Sequence, residues 1–560
     1  MVAEIGRAAS QGARLVVLLA ATAAFLMTGA TPALAHATLT SSSPADGAVL
    51  ASAPASVRLT FDEAVRPAPA DTRVIDPAGR SISGAVTGNG ATVTIALRAT
   101  GGTTMPGTYT VSWRVISADS HPVAGTVSFS IGHPSRPATV TTASTSTTVS
   151  TLLTIARFLG YAGFALLVGA VAFCCYGWPD GTGLRGIRLL IVMGWAVLAA
   201  GTFSALLLQG PYGAGAGLGA LARPELLHQT LGTVYGKAMT VRLLLVGSVP
   251  GLLAYALSRL GAAGRAGRAL FSGIGTLTTV GLAATWSIAG HPRTGAQPVL
   301  AVSADAAHLC AMAGWLGGLA AVAVTVRTQH ASPDAVAGVV RFSTVAASCV
   351  TVLALSGLYQ AWLRVQTLPA LPATTYGVTL IVKVSLVAAV LSVAFFSRRL
   401  LHRRPTAGAV PPRLGQLVTL EAGGALTVVA MTALLVGMEP AGTALAARPA
   451  TLTTRFDTGG PGGTGSLSLR LPDQARGLTQ ATLVVRDPAG ASHDVPGLRV
   501  TWSLPARAIG PITALTHRVG TGRYTAVTAP LTVAGQWRIA VTVRTSDIDE
   551  TTVQLTQTLR

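Results

Sequence analysis

At 560 residues, half of them hydrophobic and only 11% charged, the chain is long enough for several domains and apolar enough to be an integral membrane protein with soluble attachments. The net charge of +20 is no nucleic-acid signature: many of the arginines sit in short loops between apolar runs, and no zinc-finger spacing, aromatic–basic platform or basic helix accompanies them. A disulfide framework is excluded as well, because Cys174, Cys175, Cys310 and Cys349 all lie in apolar runs, where they read as small buried hydrophobes.

Residues 1–35 read as a secretory signal peptide. Arg7 and Arg14 supply the basic region, Leu15 to Met27 the apolar core and Ala33-Leu34-Ala35 the small-residue cleavage site. Cleavage there makes His36 the amino terminus and places the following domain outside the cytoplasm. It also gives this histidine a free α-amine, so that amine and imidazole form a chelating pair.

Residues 36–133 read as an all-β domain. Ser56–Phe61, Ala91–Leu97, Thr108–Val115 and Val123–Ile131 are short runs rich in Val, Thr and aromatics, separated by Gly and Pro clusters. A Greek-key sandwich lets such strands cover one another. Between the last two runs lies Ser117-Ala118-Asp119-Ser120-His121-Pro122. In an extended segment Asp119 and His121, two residues apart, project to the same side. With His36 they make two imidazoles, an amine and a carboxylate, a set that suits tetragonal Cu(II) and lacks the thiolate that favours Cu(I) or structural zinc. The amine, with a pKa of about 8, gives up its proton to a metal at modest cost. A solvated Asp–His loop and an incidental terminal histidine are the alternative that spacing by itself leaves open.

His36-Ala37, Ser43-Pro44-Ala45-Asp46-Gly47, Pro106-Gly107-Thr108-Tyr109-Thr110-Val111 and Ser117-Ala118-Asp119-Ser120-His121-Pro122 resemble, in that order, the CopC copper-binding family. The resemblance covers nearly all of 36–133. It implies a Cu(II) site made of His36 with its amine, Asp119 and His121. Ser120 stands where the family usually has Gly, and Met105 is alone, so the resemblance implies no Met-rich Cu(I) site.

Residues 134–150 are Ser, Thr, Ala, Pro and Val without apolar periodicity and read as a flexible tether. Residues 151–440 then offer eight candidate transmembrane spans, at about 152–176, 187–209, 237–258, 270–290, 305–326, 342–363, 377–400 and 417–438. With the first domain outside, the inner loops collect Arg185, Arg188, Arg259, Arg265, Arg268, Arg327, Arg341, Arg398, Arg399, Arg403, Arg404 and Arg413. The outer loops hold only Arg223, Arg293 and Arg364, which is the expected asymmetry for a multi-pass protein of the plasma membrane.

Ser303 to Gly318 is the stretch that stands out within these spans. Asp305, His308, Met312 and Trp315 fall three and four apart and share one helical face. An ionisable residue in a span needs a partner or a task; the plainer reading is that Asp305 caps the helix and His308 bonds a neighbour. Met438 and Glu439 close the last span on the outer side, where His228, His291, Asp305 and His308 also gather. An internal repeat is visible too. Thr233-Val234-Tyr235-Gly236 and Thr374-Thr375-Tyr376-Gly377 each lead to a cation, Arg242 and Lys383, at the same interval, with Glu421 as a candidate partner in the last span. Two four-span halves would be parallel repeats, a common transporter plan.

Gly290-His291, Asp305 with His308, Trp315-Leu316-Gly317-Gly318-Leu319, Arg341-Phe342-Ser343, Thr375-Tyr376-Gly377 with Lys383, and Glu421 resemble the CopD family of inner-membrane copper proteins. Phe395-Phe396-Ser397-Arg398 departs from the Asn-Arg often found there. The resemblance implies copper movement or homeostasis, and their shared outer side makes His291, Asp305 and His308 the favoured entry residues for copper. Residues 451–560 read as a second extracytoplasmic β-sandwich, with alternating runs such as Ser466–Leu471 and Trp537–Val543. Gly522-Arg523-Tyr524 and Gly535-Gln536-Trp537 are distantly similar to YtkA-like domains, and His493 and His517 suggest no site.

The expected protein is therefore a non-enzymatic copper carrier or homeostasis protein. It captures Cu(II) outside and passes it into the membrane, with import favoured. Its expected partners are copper ions, the lipid bilayer and an extracytoplasmic copper chaperone. A membrane-bound haem or copper oxidoreductase, or a copper store or sensor anchored by its helices, is the alternative class. The absence of a nucleotide fingerprint or Walker motif argues against ATP-driven pumping.

Overall fold

The computed structural model describes residues 37–559 apart from 38, 69–70, 99–104, 118–121, 134, 136–145, 260–264, 291–296, 329–332, 404–411, 447–450, 461, 472–479, 515 and 528–534. The expected signal peptide, His36, Asp119, His121, His291 and most of the expected tether lie outside the described residues. Ser144–Gly442 forms the body of one compact unit, and the strands that precede and follow it form the other.

The N-terminal β domain contains β1 (Leu39–Ser43), β2 (Ala48–Leu50), β3 (Ser56–Phe61), β4 (Arg66–Pro67), β5 (Arg73–Ile75), β6 (Ser83–Asn89), β7 (Thr92–Leu97), β8 (Gly107–Ile116) and β9 (Pro122–Ile131). One sheet runs β1-β3-β7-β6 and the other β2-β9-β8-β4, with β5 also on β8. Period-two alternation turns Val57, Leu59 and Phe61 of β3 and Val93 and Ile95 of β7 inward, against Tyr109, Val111, Trp113 and Phe129 of the facing sheet. Phe61 meets Trp113 edge-on at 5.3 Å and Tyr109 stacks on Phe129 at 5.3 Å. Gly125 stands opposite Trp113 because a Cβ there would overlap the indole ring. Asp46, in the Ser43-to-Gly47 stretch singled out above, accepts from Ser128 N at 2.7 Å and Ser128 Oγ at 3.1 Å, which ties that loop to β9.

Among the described residues of the helical unit are eight helices of 25 residues or more: α1 (Thr147–Ala172), α2 (Arg185–Gly213), α3 (Val234–Arg259), α4 (Arg265–Ala289), α5 (Pro298–Thr328), α6 (Pro333–Val365), α7 (Thr375–Arg403) and α8 (Pro412–Val436). Helix α1 begins at Thr147, inside the stretch expected as tether. Six of these helices, α1, α2, α3, α5, α6 and α7, have a described part long and apolar enough to cross a membrane, while in α8 only the shorter Leu420–Val436 qualifies as apolar. Helix α5 is the central one: 83% of its most apolar window is buried, against 6% for α7.

Small residues let these helices approach backbone to backbone, as expected where lipid offers no hydrophobic driving force. A Cβ on Gly163 would stand 2.8 Å from Gly194 O, joining α1 to α2, and one on Gly317 would overlap the Ala165 carbonyl, joining α5 to α1. Gly318 makes room for the Phe342 ring of α6. The two apolar stretches that resemble CopD thus meet through packing.

The C-terminal domain has strands β10 (Thr451–Asp457), β11 (Thr464–Arg470), β12 (Gln480–Arg486), β13 (Gly497–Leu504), β14 (Ile509–Ala514), β15 (Thr516–Gly520), β16 (Arg523–Val527), β17 (Gly535–Arg544) and β18 (Glu550–Leu559). Its sheets, β10-β11-β12-β16-β15 and β14-β13-β17-β18, enclose a core around Trp502 and Trp537, both almost fully buried. This is the sandwich expected from the alternating runs. His517 is exposed on β15, and the adjacent Arg518 pairs with Asp494 at 2.6 Å.

Candidate functional site

In the β domain, the described residues that flank the expected copper ligands are firmly held. Ala37, which follows His36, is buried in the sandwich core. Leu39 pairs with Phe61, and Phe61 packs on Trp113, three residues before the end of β8. Ile116 pairs with Pro122 across the β8–β9 connection that carries Asp119 and His121. The chain entering β1 and the ends of that connection therefore lie at the same end of the sandwich.

In the helical unit, Asp305 and His308 lie on the central helix α5, one to three turns before Met312 and Trp315, both of which are buried in the bundle core. Asp305 does not cap this helix. The apolar run Val299-Leu300-Ala301-Val302 extends α5 back to Pro298, so Asp305 sits about two turns inside it, roughly 10 Å from its start. Each of the two polar side chains is gripped by a serine from a neighbouring helix. The hydroxyl of Ser287 on α4, fully buried, donates to Asp305 Oδ2 at 2.7 Å, and Ser356 Oγ on α6 lies 2.9 Å from His308 Nδ1.

Cations surround this pair. Arg364 and Lys383 lie within electrostatic range of both Asp305 and His308. Arg364, expected in an outer loop, is instead in the last turn of α6 and hydrogen-bonds Tyr376 at the start of α7. The carboxylate acting on Lys383 is Asp305. Arg242 on α3 is buried, donates from Nε to Thr285 Oγ1 at 2.8 Å, and lies 3.5 Å from the centroid of the Trp286 ring. Tyr161 of α1 stacks on the same indole at 5.4 Å and lies in electrostatic range of Asp305, Arg242 and Arg364.

Among the described residues no three His, Cys, Asp or Glu side chains come together closely enough to hold a metal ion. Asp305 and His308 are thus at most part of a ligand set. His228, on the short helix Pro224–Leu231, is exposed, and all four cysteines are free thiols. The residues that sequence reasoning missed are Ser287, Ser356 and the role of Arg364. Serines in apolar spans were the only visible signal, and they do not say which helices are neighbours.

Residues 39–132 match the CopC domain family, and residues 336–435 match the family described as Copper resistance protein D. Copper resistance protein C of Pseudomonas syringae pv. tomato is 33% identical over 106 residues, covering 18% of this chain and 82% of that protein. The chain belongs to the CopC–CopD copper resistance family. Asp305 and His308 precede the matched CopD segment, while Ser356, Arg364 and Lys383 lie within it. The copper transport protein CutJ of Bacillus subtilis is 26% identical over 371 residues, which span 62% of this chain and 65% of the relative, just under two thirds of its length. A solved CopC from Methylosinus trichosporium OB3b is 26% identical and covers 19% of this chain and 100% of that one, with a TM-score of 0.16.

Proposed function

We propose that this CopC–CopD protein captures Cu(II) outside the plasma membrane and carries it inward. After removal of residues 1–35, His36 with its amine, Asp119 and His121 hold the ion, a donor set of nitrogens and one oxygen suited to Cu(II). Eight helices cross the membrane, both β domains face outward, and the bundle takes copper at His291, Asp305 and His308. An extracytoplasmic copper chaperone serves as donor. The chain acts as a carrier and catalyses no reaction.

The observation that carries this reading is the union, in one chain, of a CopC domain with a membrane segment whose central helix bears a carboxylate and an imidazole. Buried ionisable groups are retained in a membrane where they work. Tethering donor to acceptor replaces diffusion by a high effective concentration. The relative CutJ is named as a copper transport protein.

Two measurements test it. A Gly inserted before His36 in the processed protein should weaken Cu(II) binding sharply; unchanged affinity would remove the amine–imidazole chelate. Cells making His308→Ala should take up less radioactive copper than cells making the natural chain, and equal uptake would leave the bundle as a mere anchor.

A further inference from the structure

Ser356 makes two contacts whose combination fixes a proton. Its Oγ lies 2.5 Å from the Val352 carbonyl oxygen, one turn back on α6, and 2.9 Å from His308 Nδ1. A more distant carbonyl, that of Leu353, is at 3.4 Å. Two oxygens 2.5 Å apart repel unless a hydrogen lies between them, so the single hydroxyl proton is committed to Val352. What Oγ has left for the imidazole is a lone pair, and Nδ1 must be the donor. In the uncharged ring the other nitrogen, Nε2, then carries the lone pair. Ring position is set by the same helix turn: a Cβ on Gly357 would stand 3.3 Å from His308 Cε1 and 3.8 Å from Nδ1, so the glycine lets the imidazole lie against α6. Among the described residues nothing hydrogen-bonds Nε2.

We infer that Ser356 is a positioning residue that holds His308 with Nδ1 protonated, so that Nε2 is the nitrogen presented to copper. This rests on the reading of His308 as a copper-accepting residue. An imidazole whose second nitrogen donates to a fixed oxygen is the arrangement that orients metal-ligating histidines and raises their basicity. A serine already bonded to its own helix acts as that oxygen without placing a charge in the bundle.

The full chain, labelled with 15N-histidine and reconstituted without metal in lipid bilayers, tests the geometry. The His308 resonances are identified by their loss in His308→Gln. They should show a protonated Nδ1 and a bare Nε2; in Ser356→Ala the two tautomers should mix, and Ser356→Thr, which keeps the oxygen, should restore the natural pattern. In copper uptake, Ser356→Ala should raise KM about 10- to 100-fold with little change in maximal rate, and Ser356→Thr should recover most of it. A wild-type ring protonated at Nε2, or an unchanged tautomer and KM in Ser356→Ala while His308→Ala abolishes uptake, would overturn the inference. Uptake indifferent to His308→Ala would instead overturn the copper reading on which it rests.

Discussion

The packing of α5 on α1 makes a demanding prediction at Gly317. A Cβ there would overlap the Ala165 carbonyl oxygen and stand 2.6 Å from the Ala165 carbonyl carbon and 2.9 Å from Gly169 Cα. Comfortable contacts are about 3.5 Å, and every obstructing atom is backbone, so no rotamer change relieves the clash. The helices must part, and the contacts that Gly169 and Gly317 share are lost together. One added methyl in a packed core costs about 1–3 kcal/mol where side chains can yield; here about 3 kcal/mol or more is expected, roughly a hundredfold in the folded-to-unfolded ratio. Gly247→Ala on α3 is the control, because nothing lies within 4 Å of its added Cβ. Thermal unfolding in detergent should show a large drop for Gly317→Ala and none for Gly247→Ala. Since α5 carries Asp305 and His308, copper uptake should fall with the first variant only. Equal stability of the two would refute the claim that backbone contact between α1 and α5 holds the central helix.

Three further outcomes follow from other contacts. Thr374 Oγ1 accepts from Gly377 N at 3.0 Å at the start of α7, so Thr374→Val should cost about 1 kcal/mol and speed amide exchange at Gly377. Asp76 is nearly buried, and burial alone would raise its pKa. The Arg80 backbone N–H, the Arg80 guanidinium and the Ala78 N–H outweigh that and hold it below 3.8. Its contribution is therefore complete above about pH 4 and lost as pH falls through the lower, folded value. Acidification below pH 4 should loosen β8 in amide exchange, and Asp76→Asn should abolish that acid dependence at a cost of about 1–2 kcal/mol at neutral pH. Lys383→Met removes a positive charge beside Asp305 and His308, so the KM for copper uptake should drop about five- to tenfold, from roughly 1 kcal/mol of repulsion; an unchanged KM would place the copper path elsewhere.

The strands were legible because alternating Val, Thr and aromatic residues have one inward face, as in Val57, Leu59 and Phe61. The repeated Thr-x-Tyr-Gly was legible as a local signal, and the structure gives it a cause. Thr233 Oγ1 accepts from Gly236 N at 2.9 Å just as Thr374 does from Gly377 N, so both copies stop and restart a helix in the same way. The depth of Asp305 was not legible, since a carboxylate looks like a boundary until Pro298 and the apolar run after it are seen to continue the helix. Nor were Ser287 and Ser356. A sequence shows which residues share a face of one helix, but the partner across the gap depends on the order in which helices pack. Gly317 and Gly318, quoted for their resemblance to CopD, prove to serve contact with Ala165 and Phe342.

The two copies of the repeat have come to different uses. Arg242 and Lys383 each stand seven residues after the tyrosine of their copy, yet their surroundings differ in kind. Arg242 rests on the face of Trp286 with Thr285 at its Nε. A cation over an indole keeps its charge without a carboxylate, which makes Arg242 a brace between α3 and α4. Lys383 acts on Asp305 and His308, alongside Arg364. If copper enters at Asp305 and His308 as proposed, it meets two cations there. The cation of the second copy therefore acts on Asp305 and His308 while that of the first braces two helices, so a change of charge at Lys383 should alter copper uptake and the same change at Arg242 should not.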